Sequence, residues 1–290
     1  MSYCGQWVQP LGNMEISTVT PTDLYLNLLK RTLTRFDMGD DRVRVRTRYP
    51  AVQRLMEAVS AALGRSNIEI DRVRPFNAEV RSEGRDWPAE AETMIGLRRL
   101  DNIQYCVTTV ISDGVPGDML EAGVWRGGAS IFMRAVLMAH GITDRSVWVV
   151  DSFQGLPPPD PTFPADSGDK HYAQSQLAIS LEAVKANFAK YGLLDEQVKF
   201  LKGWFSDTLP TAPIGSLAVL RADADMYGST MDVLTTLYPK VSSGGFVIID
   251  DYGNNDLAGC RQAVTDYRDR FGVTEPITAV DWTGAYWRKA

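Results

Sequence analysis

The spacing of apolar residues divides the chain into two parts. In the first part, apolar residues recur at helical intervals, which predicts helices over residues 22–36, 51–63 and 89–111. From residue 118 onward, short β-rich runs alternate with amphipathic stretches. This alternation predicts a mostly parallel sheet with helices on both faces. The predicted strands are residues 118–122, 146–150, 197–201, 217–222 and 245–249, and the predicted helices are residues 129–140, 181–191, 229–238 and 257–271.

The segments outside this alternation are less regular. Residues 1–21 have the composition of a loose tail, and residues 64–88 that of connecting structure. The run RVRVRTR at 42–48 alternates basic and apolar side chains; an exposed edge strand or loop is favoured over an anion- or partner-binding strand. Residues 277–281 and 285–288 flank a turn and predict a hairpin. We predict a helical N-terminal region, 1–110, and one α/β core, 111–290.

Composition narrows the class of protein. The 290 residues are 44% hydrophobic and 23% charged, the balance of a globular protein with a substantial core. A net charge of −6 disfavours binding to nucleic acid or an anionic membrane. The first residues lack a secretory signal pattern, and Cys4, Cys106 and Cys260 are widely separated. We therefore expect a cytoplasmic protein with reduced thiols.

Histidine is scarce in this sequence. Only His140 and His171 are present, which excludes a metal site built from several histidines. Catalysis or metal binding must therefore depend mainly on carboxylates.

Two motifs at predicted strand ends are typical of nucleoside binding. In open α/β sheets, ligands bind beyond the carboxyl ends of the strands. The first strand runs into EAGVWRGG (121–128), whose glycines allow a ligand close to the backbone at a helix N-terminus. A glycine turn that only packs the helix on the sheet is the alternative. Asp151, after the second strand, is suited to bind ribose hydroxyls, although it could instead cap a turn.

Four carboxylates follow two further strands. Asp223 and Asp225 end the fourth strand, and Asp250 and Asp251 end the fifth. Their mutual repulsion at one edge of the sheet calls for a compensating charge, unless they are ordinary caps and solvated loop residues. Oxygen ligands without histidine favour Mg²⁺ over zinc.

The chain resembles the TylF/MycF-type macrocin O-methyltransferases from about residue 20 to the end. The segments that carry the resemblance are DWPAEAETMIG (86–96), LEAGVWRGGA (120–129), DSFQGLP (151–157), GWFSDTLP (203–210), DDY (250–252) and DWTGAYW (281–287). The resemblance implies a class I methyltransferase (Rossmann-like) sheet of seven strands, the last antiparallel. It also implies a homo-oligomer that uses S-adenosylmethionine and Mg²⁺ to methylate a sugar hydroxyl of a macrolide-like or other glycosylated natural product.

The resemblance also assigns residues. It implies Asp223, Asp250 and Asp251 as metal ligands, and Asp225, ahead of His171, as general base. The implied cofactor contacts are Met94, Glu121, Gly123, Arg126, Gly128, Ser130, Asp151, Ser152, Trp204, Ser206 and Asp207.

Two departures from the family pattern leave alternatives open. Ala222 and Ala224 replace a leucine and a glycine of the family, and Ala224 would be strained if its backbone needed a positive φ. Residues 42–74 have the position of an insertion. The alternatives to sugar methylation are a phenolic or catechol-like acceptor, a nucleotide-sugar or NAD-binding protein, and a non-catalytic homologue.

Overall fold

A computed structural model of the chain describes residues 19–44, 49–64 and 71–290. Within these residues the strands are β1 (Asp41–Arg44), β2 (Asp71–Arg74), β3 (Asp118–Ala122), β4 (Val147–Asp151), β5 (Val198–Lys202), β6 (Leu217–Ala222), β7 (Val241–Ile249), β8 (Thr278–Ala279) and β9 (Ala285–Arg288). The helices are α1 (Pro21–Leu33), α2 (Pro50–Gly64), α3 (Ala78–Ser82), α4 (Leu97–Ser112), α5 (Gly128–Ala139), α6 (Leu181–Lys190), α7 (Phe205–Thr208), α8 (Tyr227–Leu237) and α9 (Ala258–Phe271).

Seven of these strands form one sheet in the order β5-β4-β3-β6-β7-β9-β8. Strands β3 to β7 are parallel, whereas β9 runs antiparallel to both of its neighbours. The prediction of a mostly parallel seven-stranded sheet is therefore confirmed, as is the C-terminal hairpin. The parallel order brings the carboxyl ends of β3 to β7 to one edge.

Helices cover both faces of this sheet, as predicted. Leu100 of α4 and Phe132 of α5 belong to one hydrophobic cluster, and Val233 of α8 and Val264 of α9 belong to the other. Leu29 of α1 lies in the first cluster, so the N-terminal region shares the core of the sheet. The division into an N-terminal region, 1–110, and a core, 111–290, stays a prediction.

The N-terminal region is held together by Arg81 of α3. This buried guanidinium donates to the carbonyls of Thr34 and Arg35 and to the carboxylates of Asp41 and Asp86. It thus links the end of α1, the antiparallel pair β1–β2 and the segment before α4. Of the basic run, residues 42–44 lie in β1 as an edge strand would, and residues 45–48 fall outside the described residues. The predicted connecting segment contains β2 and α3.

The prediction of one helix over residues 89–111 is wrong for its first eight residues. Residues 89–96 form turns and bends, and α4 begins only at Leu97. Arg126 donates to the carbonyls of Ala89 and Ala91 at 2.8 Å, and the Gly128 amide donates to the carbonyl of Glu92 at 3.0 Å. In a helix, these carbonyl groups would accept hydrogen bonds from amides of the same helix. Here they accept from Arg126 and Gly128, some 35 residues further along the chain.

Two further sequence-based expectations concern the thiols and the membrane. Cys106 and Cys260 are buried free thiols, and Cys4 and the predicted tail up to residue 18 lie outside the described residues. Among the residues that the structure describes, none of the helices combines the length and apolar character of a membrane span.

Candidate active site

A cavity of about 450 Å³ opens at the sheet edge where β3 to β7 end. Each of these strands contributes a lining residue at or just beyond its last position: Gly123, Asp151, Gly203, Asp223 and Asp250. Further lining residues lie within the segments 84–99, 125–158, 171–177, 204–206, 224–232, 251–257 and 282–283. The volume lies within the range typical of small-molecule pockets.

The glycine loop after β3 brings two strand ends together. Gly123 has φ 86°, and a Cβ at this position would collide with the carbonyl oxygen of Asp223, which follows β6. Only glycine allows this approach. Two residues later, Trp125 adopts φ 47°, and its indole Nε1 donates to the Gln176 carbonyl at 3.0 Å. The loop thus places the end of β3 directly beside the acidic residues that follow β6.

Asp151 ends β4 and holds two loops at the cavity. Its carboxylate accepts hydrogen bonds from the amides of Val124 at 2.8 Å and Phe153 at 2.6 Å. Burial raises the pKa of this carboxyl, although the backbone N–H groups oppose the shift. Its position on the cavity wall suits the ribose role assigned from the sequence.

The predicted cofactor residues divide into two sets. The set that lines the cavity is Met94, Gly123, Asp151, Ser152, Trp204 and Ser206, and the set that does not is Glu121, Arg126, Gly128, Ser130 and Asp207. Met94 reaches the cavity because residues 89–96 leave the helical path. Asp207 lies in α7 and accepts from the Ser206 hydroxyl. For the second set, direct contact with a cofactor stays a prediction.

Glu121 has a clear structural partner behind the cavity. Its side chain is fully buried and accepts from Arg221 and from the Ser130 hydroxyl. Burial raises its pKa to about 6, although Arg221 and Ser130 oppose the shift. The sequence-based reading missed Arg221, although that residue begins the RADAD segment.

Three carboxylates form a group that could hold a metal ion. One oxygen each of Asp223, Asp225 and Asp251 lies within 4.8 Å of the others. Burial raises the pKa of all three, and repulsion from neighbouring carboxylates raises it further. We name these three residues the acidic triplet. Its oxygen donors and excess negative charge fit a hard divalent cation.

Asp250, a predicted metal ligand, has both oxygens engaged by arginines. Arg221 pairs with Oδ1, and Arg99 of α4 pairs with Oδ2. Burial alone would raise the pKa of Asp250, but the two guanidinium groups lower it. Arg99 also donates to Asp281 at 2.9 Å. Within the described residues, the group of carboxylates close enough to share a metal ion therefore contains Asp225 and not Asp250, and the role of Asp250 as a metal ligand stays a prediction.

The two alanine departures cause no backbone strain. Ala222 is buried in β6 and pairs with Ala122 and Ile249. The positive φ of this segment falls on Asp225, at 58°, and not on Ala224. Aspartate tolerates the left-handed region better than most residues, so the family's glycine is not required here.

His171 lies on the cavity wall in a fixed orientation. Its Nδ1 is 2.8 Å from Asp169, whose other oxygen accepts from the His171 amide. His171 and the three carboxylates of the triplet line the same cavity. The loop that carries His171 is anchored by Asp166, which accepts from the amides of Tyr227 and Gly228 at the start of α8. No local sequence signal marks Asp166 or Arg99, because both act through residues more than 60 positions away.

The strand order, with β9 inserted between β7 and β8, and the cavity at the strand ends define a class I methyltransferase fold. Residues 22–289 match the macrocin-O-methyltransferase (TylF) family, so the chain belongs to this family and is an O-methyltransferase. The chain is 46% identical over 279 residues, 95% of its length, to the whole of mycinamicin III 3''-O-methyltransferase of Micromonospora griseorubida.

Two further comparisons agree with this assignment. The chain is 58% identical over 214 residues to 8-demethyl-8-(2,3-dimethoxy-alpha-L-rhamnosyl)-tetracenomycin-C 4'-O-methyltransferase of Streptomyces olivaceus. The aligned region covers 73% of this chain and 81% of that protein. The solved structure of the O-methyltransferase NovP superposes with a TM-score of 0.80 at 45% identity, covering 93% of this chain and 99% of that one.

Proposed function

We propose that this enzyme transfers a methyl group from S-adenosylmethionine to a sugar hydroxyl of a glycosylated natural product, with a bound Mg²⁺. The observation that carries the proposal is that one cavity is lined both by Gly123 and Asp151 and by the acidic triplet. Two relatives are named for methylation of a rhamnosyl-tetracenomycin and of mycinamicin III, which supports a glycosylated acceptor.

The cofactor half of the cavity fits S-adenosylmethionine. Asp151 offers a carboxylate at a strand end, where ribose hydroxyls are bound in related folds. Met94, Ser152 and Trp204 line the same wall and can enclose the nucleoside. The bound cofactor would supply a sulfonium methyl group for direct displacement by the acceptor oxygen. Gly123 keeps the backbone close, so that the cofactor and the acidic triplet can be adjacent.

The acidic triplet fits Mg²⁺ through its carboxylate oxygens. A bound divalent cation would lower the pKa of a coordinated hydroxyl, since a sugar hydroxyl is a poor nucleophile at neutral pH. Asp250 has a different role in this proposal. Because Arg99 and Arg221 engage both of its oxygens, Asp250 fixes the strand end that carries Asp251.

His171 is the general base that this geometry supports best. Asp225 belongs to the triplet, and a carboxylate that coordinates a cation is a weak base. His171 is held through Nδ1 by Asp169, which leaves Nε2 to accept the proton of the acceptor hydroxyl. This order reverses the sequence-based preference for Asp225. His171→Gln is expected to lower kcat about 10²–10⁴-fold with unchanged S-adenosylhomocysteine affinity. If only Asp225→Asn lowered kcat in this way, Asp225 would be the base.

The proposal is tested with the purified protein, S-adenosylmethionine and a panel of glycosides that carry free sugar hydroxyls. Mass spectrometry is expected to detect the gain of one methyl group, and EDTA to abolish it. Asp251→Asn should weaken Mn²⁺ binding, followed by electron paramagnetic resonance. Asp256→Asn, an exposed aspartate outside the cavity, should leave Mn²⁺ binding unchanged. Methyl transfer to catechols alone, or full activity in EDTA, would contradict the proposal.

The assembly and compartment of this enzyme complete the proposal. We infer a cytoplasmic homo-oligomer, in line with the resemblance to the family. Analytical ultracentrifugation of the purified protein tests the oligomeric state, and a monomer at assay concentration would refute it.

A further inference from the structure

Two tryptophans on the cavity wall present large apolar surfaces to solvent. Trp87 is 42% exposed and Trp282 is 40% exposed. Of the exposed large apolar side chains in the described ranges, these two alone line the cavity. Such surfaces beside a pocket are typical of a binding site, because exposed aromatic rings gain free energy when a ligand covers them.

Trp282 is held in position by its neighbours. Its indole Nε1 donates to the Glu83 carbonyl at 2.9 Å, and the guanidinium of Arg85 lies 5.0 Å from the ring centroid. Asp281 accepts from the amides of Thr283 and Gly284, which fixes the turn that carries the tryptophan. Arg99 then joins Asp281 to Asp250, the residue beside the acidic triplet.

Trp87 is also held in position by its neighbours. Its ring centroid lies 6.4 Å from that of Trp125, whose indole is bonded to Gln176. The Trp87 carbonyl accepts from Arg74 at 2.6 Å. Both rings are therefore pre-positioned, so a ligand that stacks on them loses little entropy to ordering the protein.

We propose that Trp87 and Trp282 bind the aglycone of the acceptor and thereby help to determine which glycosides the enzyme accepts. The inference rests on the proposed function. A sugar hydroxyl belongs at the acidic triplet, where charged oxygens converge. The Trp282 Nε1–H is already donated to the Glu83 carbonyl, so this ring offers a sugar no hydrogen bond but matches a flat apolar surface.

The experiment compares each accepted glycoside with the methyl glycoside of the same sugar. The acceptors are taken from glycosylated aromatic polyketides, aminocoumarins and macrolides by the mass-spectrometric test. Trp282→Ala and Trp87→Ala are each expected to raise KM for the full glycoside about tenfold, the effect of losing one aromatic contact. Neither should change KM for the methyl glycoside or the calorimetric affinity for S-adenosylhomocysteine. Trp282→Phe, which keeps a ring but loses the indole N–H, should restore most of the KM.

A control and three outcomes decide the inference. Phe271→Ala removes a ring of 52% exposure at the end of α9, outside the cavity, and should change no KM. Equal increases in KM for glycoside and methyl glycoside would mean that the rings bind the sugar, which overturns the inference. Unchanged KM in both alanine variants would also overturn it. No methyl gain on any glycoside in the wild-type enzyme removes the proposed function itself, and the inference with it.

Discussion

Asp250 and Asp251 are neighbours in sequence with opposite electrostatic surroundings. Asp250 lies between two guanidinium groups, whereas Asp251 faces other carboxylates. The pKa of Asp250 is accordingly lowered and that of Asp251 is raised, although both are buried. Substitution of each by asparagine should therefore change stability in opposite directions.

Asp250→Asn is expected to lower the free energy of unfolding by about 3–5 kcal/mol, because it removes the partner of two buried arginines. The measurement is urea denaturation at pH 7 in EDTA, with Asp256→Asn as the matched exposed substitution. An Asp250→Asn protein as stable as the wild type would show that Arg99 and Arg221 are satisfied without it.

Asp251→Asn is expected to stabilise the metal-free protein, because it removes a carboxylate that repels Asp223 and Asp225. A carboxyl whose pKa is raised by folding stabilises the native state below its unfolded pKa, near 4, and loses that contribution as pH rises through the raised value. The gain from the substitution should therefore be small at pH 4 and larger at pH 8. In excess Mg²⁺ the wild type should instead be more stable than Asp251→Asn, because the wild type would then hold the cation. A gain that did not depend on pH would contradict this account.

Sequence reasoning located the acidic residues of this site but not their partners. Alternating strands and helices predict which residues end a strand, so Asp151, Asp223 and Asp250 could be placed at one edge. Arg99 contacts Asp250 across 151 positions, and only the packing of α4 on the sheet brings them together. Because of such contacts, Asp250 pairs with arginines, and Asp225 is the third member of the triplet. The local sequence pattern does not encode these contacts.

Among the elements, the glycine loop after β3 has the tightest steric requirement. Gly123→Ala is expected to weaken S-adenosylhomocysteine binding at least about tenfold, because the new Cβ must push the loop away from Asp223. Gly141→Ala is the matched control: its φ of 67° imposes similar strain, but the space around it is open. Isothermal titration calorimetry of both variants separates the collision from the strain. Equal affinities in both variants would exclude a steric role for Gly123.

The segment before α4 shows where periodicity misleads at the scale of an element. Met94 and Leu97 continue the apolar spacing of the helix, so the spacing alone predicts that residues 89–96 belong to it. Arg126 and Gly128 instead take the carbonyl groups of residues 89–92. Gly96 then packs so closely on Ser82 that a side chain would not fit, which fixes the helix start. The resulting irregular path turns Met94 toward the cavity.

At the scale of the whole molecule, the N-terminal region depends on Arg81. Arg81→Met is expected to lower the free energy of unfolding by about 3–5 kcal/mol, because the carboxylates of Asp41 and Asp86 lose a buried partner. Arg31→Met, which breaks an exposed pair with Asp37, should cost at most about 1 kcal/mol. Chemical denaturation of both variants tests the difference. Equal losses would mean that Arg81 does not hold this region together.

The sheet was predictable from sequence because its strands are short apolar runs separated by helices of ordinary length. The N-terminal region was less so, since α1 and α4 join the core while β1, β2 and α3 are fixed by ion pairs around Arg81. The pairs of Asp41 with Arg74 and Arg81 connect residues 33 and 40 positions apart and leave no periodic signal.

The ion pairs that link Glu121, Arg221, Asp250, Arg99 and Asp281 limit how this enzyme can evolve. A single substitution among these five residues leaves a buried charge without its partner. We therefore expect them to be replaced together and not one at a time. Trp87 and Trp282 have no such constraint, because each stands at the margin of the cavity. A mutational library confined to these two tryptophans should therefore diversify acceptor scope while the folding of the catalytic framework is preserved.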